Sequence, residues 1–308
     1  MITTPFPASA TAAEVLAGVH LPGRRYVVTG GASGLGAETV RALAGAGAQV
    51  TVATRNPAAG APLAAELPGV DSHALDLADV ESVRAFTAGW DGPLDGLVAN
   101  AGIMALPTRQ LNPQGWELQL ATNFLGHFEL ATGLHGALAA ARGRVAVVSS
   151  GAQLLGGVDL DDPQFERRPY DPWVAYAQSK TADVLLAVGI TRRWSDDGIT
   201  ANALAPGWIH TNLQRHLDDA AMQAAGAMDA DGNLVTPPHY KTPAQGAATS
   251  ALLISSPLLA GVSGRYFEDN QEAPVVPGGT RPGGPAVADW AVEPATADRL
   301  WELAVSAG

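Results

Sequence analysis

The chain has no cysteine in 308 residues. Disulfide frameworks, thiol nucleophiles and cysteine-bound metals are therefore excluded. Lysine is almost absent: Lys180 and Lys241 are the two in the chain, and arginine fills the other basic positions. Basic residues are scarce altogether, 18 against 30 acidic ones, for a net charge of −12. So acidic a chain speaks against nucleic acid or an anionic membrane as its main partner. No apolar stretch reaches the ~18–20 residues that a membrane span needs. The opening residues, Met1 to Pro7, lack the basic flank and apolar run of a signal peptide, so the expected location is the cytoplasm. No His/Asp/Glu group has a convincing ligand spacing, and no metal is expected.

What is present is an apolar fraction near one half and a long alternation of strand-like and helix-like segments. An arm spans residues 1–22, with a short helix after Thr11, whose side chain and Glu14 form a capping pair. Strands are predicted at 26–29, 50–53, 73–75, 94–99, 144–149 and 200–204. Helices are predicted at 36–44, 62–67, 80–88, 113–140, 173–196 and 295–305. Such alternation predicts an α/β, single-domain Rossmann fold: a doubly wound parallel sheet with helices on both faces, over residues 23–308. Three stretches interrupt the alternation. Residues 151–172 form a polar loop, about 212–241 form a lid rich in Met and Ala, and 272–285 form a Pro/Gly-rich surface excursion.

A glycine-rich run, Thr29 to Gly36, follows the first strand and opens a helix. Glycine permits a tight turn and lets backbone approach phosphate closely. Backbone N–H groups at a helix start then meet a pyrophosphate. The candidate residues are Gly30, Ser33, Gly34, Leu35 and Gly36. The second strand ends in Thr54, Arg55 and Asn56, with no acid to bind ribose hydroxyls. An arginine there accommodates a 2′-phosphate, so NADP(H) is favoured over NAD(H). Asp76 and Leu77 are placed to meet the adenine, and Asn100, Ala101 and Gly102 to lie beside its ribose.

Tyr176 and Lys180 are four residues apart on a predicted helix and so share a face. A free phenol, with a pKa of ~10, is a poor acid or base at neutral pH. A neighbouring ammonium and a positive nicotinamide ring favour the phenolate and lower that value. Tyr176 then serves as general acid in reduction and general base in oxidation, while Lys180 also bonds the nicotinamide ribose. Ser150, at the end of the fifth strand, is preferred to its neighbour Ser149 for holding the substrate oxygen, because adjacent strand residues face opposite ways. Asn123 is either a packed helix residue or the seat of a kink that holds a water linking Lys180 to solvent.

Taken as a set, Thr29, Gly30, Gly34, Gly36, Asn100 to Gly102, Asn123, Ser150, Tyr176, Lys180, Pro206, Gly207 and Thr211 resemble the short-chain dehydrogenase/reductase superfamily over residues 23–270. The resemblance implies a catalytic tetrad of Asn123, Ser150, Tyr176 and Lys180, with Thr211 on the nicotinamide carboxamide and Pro206 and Gly207 beside it. It also implies a homo-oligomer, dimer or tetramer, pairing through the Tyr176 helix and the long helix before it. Thr54 to Asn56, Ala101 to Met104 and Asn123 to Phe128 are most similar to the retinol-dehydrogenase-like group. So is the long gap of 26 residues between Ser150 and Tyr176.

The substrate walls are expected from Met104, Leu154, Leu155, Trp173 and Trp208, with Leu213, Leu217, Met222 and Met228 from the lid. Apolar, adaptable walls suit a lipophilic ketone, aldehyde or secondary alcohol; alternatively these residues only pack the lid. His210 and His216 read as loop histidines. The expected activity is that of a carbonyl reductase or alcohol dehydrogenase. Reduction of an imine or activated double bond, or a non-catalytic coenzyme sensor, are the alternatives.

Overall fold

The computed structural model describes residues 1–224, 226–280 and 282–307. The central strands are rich in Val, Leu and Ala, and such runs suit strands covered on both faces. β1 (Arg25–Thr29), β2 (Gln49–Thr54), β3 (Val70–Ala74), β4 (Gly96–Ala99), β5 (Arg144–Val148) and β6 (Thr200–Ala205) form one parallel sheet. β7 (Tyr266–Glu268) extends it in parallel, and β8 (Gln271–Glu272) closes the edge in antiparallel sense. The order is β3-β2-β1-β4-β5-β6-β7-β8.

Alternate residues of each strand enter different cores, as a repeat of two requires. Val27, Leu97, Ala99, Val145 and Val147 face one core; Val28, Val98, Ala146 and Val148 face the other. The second core is covered by α1 (Ala12–Val15), α2 (Gly34–Gly45) and, later in the chain, the helix Ala248–Ser255. Short α3 (Ala61–Glu66) links β2 to β3. The first core is covered by α4 (Val80–Ala88), by the segment between β4 and β5, and by the helix that carries Tyr176.

That segment between β4 and β5 begins later than predicted. Asn112 to Glu117 form a turn closed by a bridge between Leu111 and Glu117. Buried Glu117 then caps the backbone N–H groups of Gln119 and Leu120 at 3.0 and 2.8 Å. A single turn, α5 (Leu118–Leu120), passes into a π-turn, Ala121–Leu125, and then into α6 (Gly126–Gly133) and α7 (His135–Ala141). Asn123 lies within this π-turn. Gly126 fixes its position: a Cβ there would collide with the Leu77 carbonyl oxygen. Gly126→Ala is expected to cost about 2 kcal/mol, the usual penalty for overpacking, and to lower the urea midpoint accordingly. An unchanged midpoint would show that this approach is not tight.

α8 (Pro172–Trp194) is started by Asp171, whose side chain accepts from the N–H groups of Trp173 and Val174 at 2.8 and 2.9 Å. It is buried almost throughout from Ala175 to Ile190. α9 (Asp219–Ala224) lies in the segment expected to form a lid; α10 (Pro243–Gly246) and α11 (Ala248–Ser255) follow it. The sequence reading had assigned no element to α10, α11, β7 or β8. β9 (Val275–Val276) pairs with β10 (Val287–Ala288), so the Pro/Gly-rich excursion is anchored at both ends.

α12 (Pro294–Ala307) packs on the outer side of α8 and α6. Trp301 stands over Gly189, where a Cβ would come within 2.9 Å of its ring. It meets Phe128 edge-on at 4.8 Å and Trp194 at 5.5 Å. Arg192 and Arg193 both pair with Asp298. One side of α8, among the two helices expected to meet a second copy, is thus covered by the chain's own C-terminal helix. Among the described residues, no helix is long and apolar enough to cross a membrane.

Candidate active site

The chain runs outward from β1 through β2 to β3, then crosses back to place β4 on the other side of β1. Ligands of open α/β sheets bind at such a switch point, beyond the carboxyl ends of the strands. A groove with a cavity volume of about 490 Å³ lies there. Its walls include Gly30, Ser33, Gly34, Leu35, Gly36, Arg55, Asp76, Leu77, Asn100, Ala101, Gly102 and Thr211. Asn56, Pro206 and Gly207 stand outside those walls. Asn56 instead caps the turn that follows it, accepting from Ala58 N at 3.1 Å.

The glycine run has the shape a dinucleotide requires. Gly30 and Gly34 hold φ of +65° and +54°, which favour glycine. A Cβ on Gly36 would collide with the Gly30 carbonyl oxygen. Ser33, at the N-cap of α2, makes no side-chain cap bond, so the first N–H groups of a three-turn helix open toward the groove. Thr29 ties the floor together: its Oγ1 accepts from Asn100 N at 2.9 Å and Ala101 N at 3.0 Å. Two guanidiniums border the groove, Arg55 from the end of β2 and Arg215 from the lid. Burial, and then the nearby Arg55 charge, hold Arg215 below its ordinary pKa. Neither is ion-paired to an acid among the described residues. These residues fit a nicotinamide dinucleotide.

Gly102 joins the groove to the second half of the site. A Cβ there would lie 3.1 Å from Asn123 Oδ1 and 3.6 Å from Lys180 Nζ. Tyr176 and Lys180 are both buried on α8, with the Lys180 Nζ 5.9 Å from the phenol ring centre. Ser150 lies close enough to the Tyr176 hydroxyl to help lower its pKa. Ser149 is spent elsewhere, donating to the Lys180 carbonyl oxygen at 2.6 Å. Ser149 is thus committed to the α8 backbone, away from the phenol.

Asn123 is wholly buried. Its Nδ2 donates to Ile103 O at 3.0 Å and Ser179 Oγ at 2.9 Å, and its Oδ1 accepts from Ile103 N at 2.9 Å. The side chain therefore staples the loop after β4 to α8. His127 fastens the π-turn from the other side. Its Nδ1 is 2.7 Å from Asn123 O and its Nε2 is 2.9 Å from Thr29 Oγ1. A carbonyl only accepts, so Nδ1 carries the proton and Nε2 accepts from the threonine. Burial pushes the imidazole down to about 4 and keeps it neutral. One neutral chain of hydrogen bonds thus runs from the groove floor to the π-turn, and the sequence reading missed it.

Asp183, three residues beyond Lys180, was also missed. Lys180 Nζ donates to Asp183 Oδ2 at 2.8 Å and to Val148 O at 3.0 Å. Burial opposes the Lys180 charge, but Asp183 and then Tyr176 outweigh it, and the ammonium is held above its ordinary pKa. Burial pushes the Asp183 carboxyl up, to about 7, against the pull of Lys180. Burial also raises the Tyr176 phenol above its ordinary value; Lys180 and Ser150 lower it and Asp183 raises it. Without coenzyme, burial thus outweighs the ammonium; the expected lowering also invoked the positive nicotinamide ring.

The proposed substrate walls divide. Met104 lies with Ala105 and Tyr176 in a small apolar cluster, against Ala152, Leu213 and Leu217. Trp173 stands edge-on to the Tyr176 ring at 6.2 Å with its outer face exposed. Leu155 is exposed, and Leu154 packs into the main core instead. Trp208 turns outward to stack on Tyr240 at 6.0 Å, and His210 bonds the Val235 carbonyl at 2.7 Å. His210 is thus a loop histidine, as expected; the side chain of His216 lies outside what is described. Lys241, the second lysine, pairs with Asp269 and donates its backbone N–H to Trp208 O at 2.8 Å, fixing the far end of the lid.

The family described as short chain dehydrogenase matches residues 24–221. The chain belongs to that family of oxidoreductases. Within it, the chain is 65% identical over 291 residues to a "Probable oxidoreductase" of Streptomyces lividans, covering 92% of this chain and 97% of that one. It is 34% identical over 304 residues to human "Retinol dehydrogenase 14", covering 91% and 85%. This supports the retinol-dehydrogenase-like group named from the sequence. Among solved structures, a gluconate 5-dehydrogenase from Burkholderia cenocepacia in complex with NADP and tartrate aligns with a TM-score of 0.61 and 27% identity, over 82% of this chain and 96% of that one.

Proposed function

We propose that the chain is an NADP(H)-dependent carbonyl reductase or alcohol dehydrogenase acting on a lipophilic small molecule. One observation carries this reading: Ser150, Tyr176 and Lys180 are gathered beside a dinucleotide groove, at the switch point of the sheet. A nicotinamide coenzyme, when bound, supplies or accepts the hydride. Ser150 and Tyr176 hold the substrate oxygen. In reduction Tyr176 gives its phenolic proton to that oxygen as negative charge gathers there. Lys180 balances the phenolate left behind, and solvent restores the proton. Oxidation runs the same steps backward. Asn123 acts through the π-turn, keeping Gly102 and Ser179 in register with Lys180.

NADP(H) rather than NAD(H) is favoured by Arg55 and Arg215 at the groove and by the absence of an acid at the end of β2. The NADP in the Burkholderia structure is consistent with this. The adenine half would meet Asp76 and Leu77, the nicotinamide half Thr211 with Pro206 and Gly207. The lipophilic class rests on Met104, Leu213 and Leu217 around the phenol, with Trp173 across from them; the name of the human relative points the same way. Residues 23–308 would act as one catalytic unit, with an arm at 1–22 and a lid over about 212–241. A second copy, if one pairs, meets a surface other than the α12-covered face of α8.

The test is loss of NADPH absorbance over a panel of lipophilic ketones, aldehydes, cyclic imines and enones. Turnover of carbonyls with NADPH preferred to NADH is the expected result. Turnover confined to imines or enones would replace the reading with the alternative reductase. NADPH binding with no turnover of any class would point to a sensor.

A further inference from the structure

Asp183 is a carboxylate within an otherwise apolar run, and it is buried with 1% of its side chain exposed. Packing does not explain it. Its Oδ2 meets Lys180, while its Oδ1 is buried without a hydrogen-bond partner. A buried acceptor that no protein group meets is costly, and an amide or an apolar side chain would avoid leaving a charge there. What a carboxylate alone supplies at this point is negative charge. Lys180 Nζ has three hydrogens; Val148 O and Asp183 take two, and the third remains to reach a ribose hydroxyl.

We propose that Asp183 is a positioning residue for Lys180: its buried carboxylate holds the ammonium against β5 and offsets its charge, so that Tyr176 stays a protonated phenol. The inference rests on the reading of Tyr176 as the proton donor and sharpens it. The protonated phenol is the form that can donate, and carbonyl reduction needs a donor. The same site is poorly set for alcohol oxidation near neutrality, which needs the phenolate.

The surrounding groups leave this balance to Lys180 and Asp183. On α8 the titratable neighbours of the phenol are those two. From β7 comes Tyr266, which burial holds well above its ordinary value and so leaves uncharged. From α6 comes His127, neutral as described. From β5 comes the Val148 carbonyl, and from the turn after it Ser150; neither carries a charge.

The test is an ultraviolet difference titration of tyrosinate in the coenzyme-free protein, with Tyr176→Phe as the blank to isolate one of the five tyrosines. The wild-type phenol is expected to titrate above the ordinary ~10 of tyrosine. Asp183→Asn keeps shape and removes charge, and is expected to lower that midpoint by about one pH unit or more. Asp183→Glu restores a carboxylate and is expected to bring the midpoint back toward wild type. A wild-type midpoint below ~10, which needs no variant to observe, would overturn the proposal. So would an Asp183→Asn midpoint that stays put or rises. No step of this experiment depends on turnover. If the midpoints behave as stated but no carbonyl is reduced, the proposed function fails and the role of Asp183 stands; the reverse pattern separates them equally well.

Discussion

Tyr176→Phe lowers kcat for carbonyl reduction by about 10²–10⁴-fold, the range that a positioned proton donor contributes. NADPH affinity changes little. The physical basis is that one oxygen is removed from a ring otherwise held by packing: Trp173 lies edge-on to it, and Met104 and Ala105 sit against it. Phenylalanine keeps those contacts. Ser150 remains to hold the substrate oxygen, so KM is expected to move much less than kcat. Loss of a group that acts mainly in the transition state has that signature. Fluorescence titration with NADPH and steady-state turnover on one preparation give both numbers. Turnover within threefold of wild type would remove Tyr176 as the acid.

Thr54→Asp combined with Arg55→Leu moves the NADPH:NADH preference, read as the ratio of kcat/KM values, toward NADH by roughly 10–100-fold. A hydrogen bond to a charged group is worth about 1.5–3 kcal/mol, which corresponds to about that change. The aspartate adds a second effect, since it accepts from ribose hydroxyls and repels a 2′-phosphate. Thr54 is the last residue of β2 and, like Arg55, borders the groove. Arg215 stays behind in this variant and keeps part of the phosphate attraction. Adding Arg215→Ala is therefore expected to shift the ratio further, while Arg215→Ala alone weakens NADPH more than NADH. An unchanged ratio in the triple variant would place recognition of the 2′-phosphate away from both guanidiniums.

Local sequence carried the parts of this site that depend on local geometry. A strand followed by glycines and a helix start marks the groove, and a spacing of four on a helix marks the shared face of Tyr176 and Lys180. The same spacing logic was available for Asp183, a carboxylate three residues from the key lysine inside an apolar helix. It was passed over because its meaning depends on burial, and burial of α8 on all sides comes partly from α12, over a hundred residues later. His127 was hidden for a related reason. Its two partners, Thr29 and Asn123, come together only when the π-turn and the first strand pack.

The substrate walls were the least legible. Leu154 and Leu155 are neighbours of similar character, yet one enters the core and the other faces solvent. The turn Gly151–Leu154 sets those directions, and no periodicity announces it. The strands beyond β6 were missed because they are two or three residues long, too short for an alternating pattern. The helix predicted from residue 113 begins at 118 because Asn112 and Glu117 form their own turn and cap. Arg55 was legible from its place after β2, whereas Arg215 reaches the same groove from a lid whose path the sequence does not specify.

The most direct measurement is a crystal structure of the protein with bound NADP⁺. The account predicts a phenol hydroxyl on Tyr176 that faces the nicotinamide and still meets Ser150, with Lys180 using its third hydrogen on the adjoining ribose while keeping Asp183 and Val148. A hydroxyl turned from the nicotinamide, with Lys180 bound to Asp183 and Val148 alone, would contradict it.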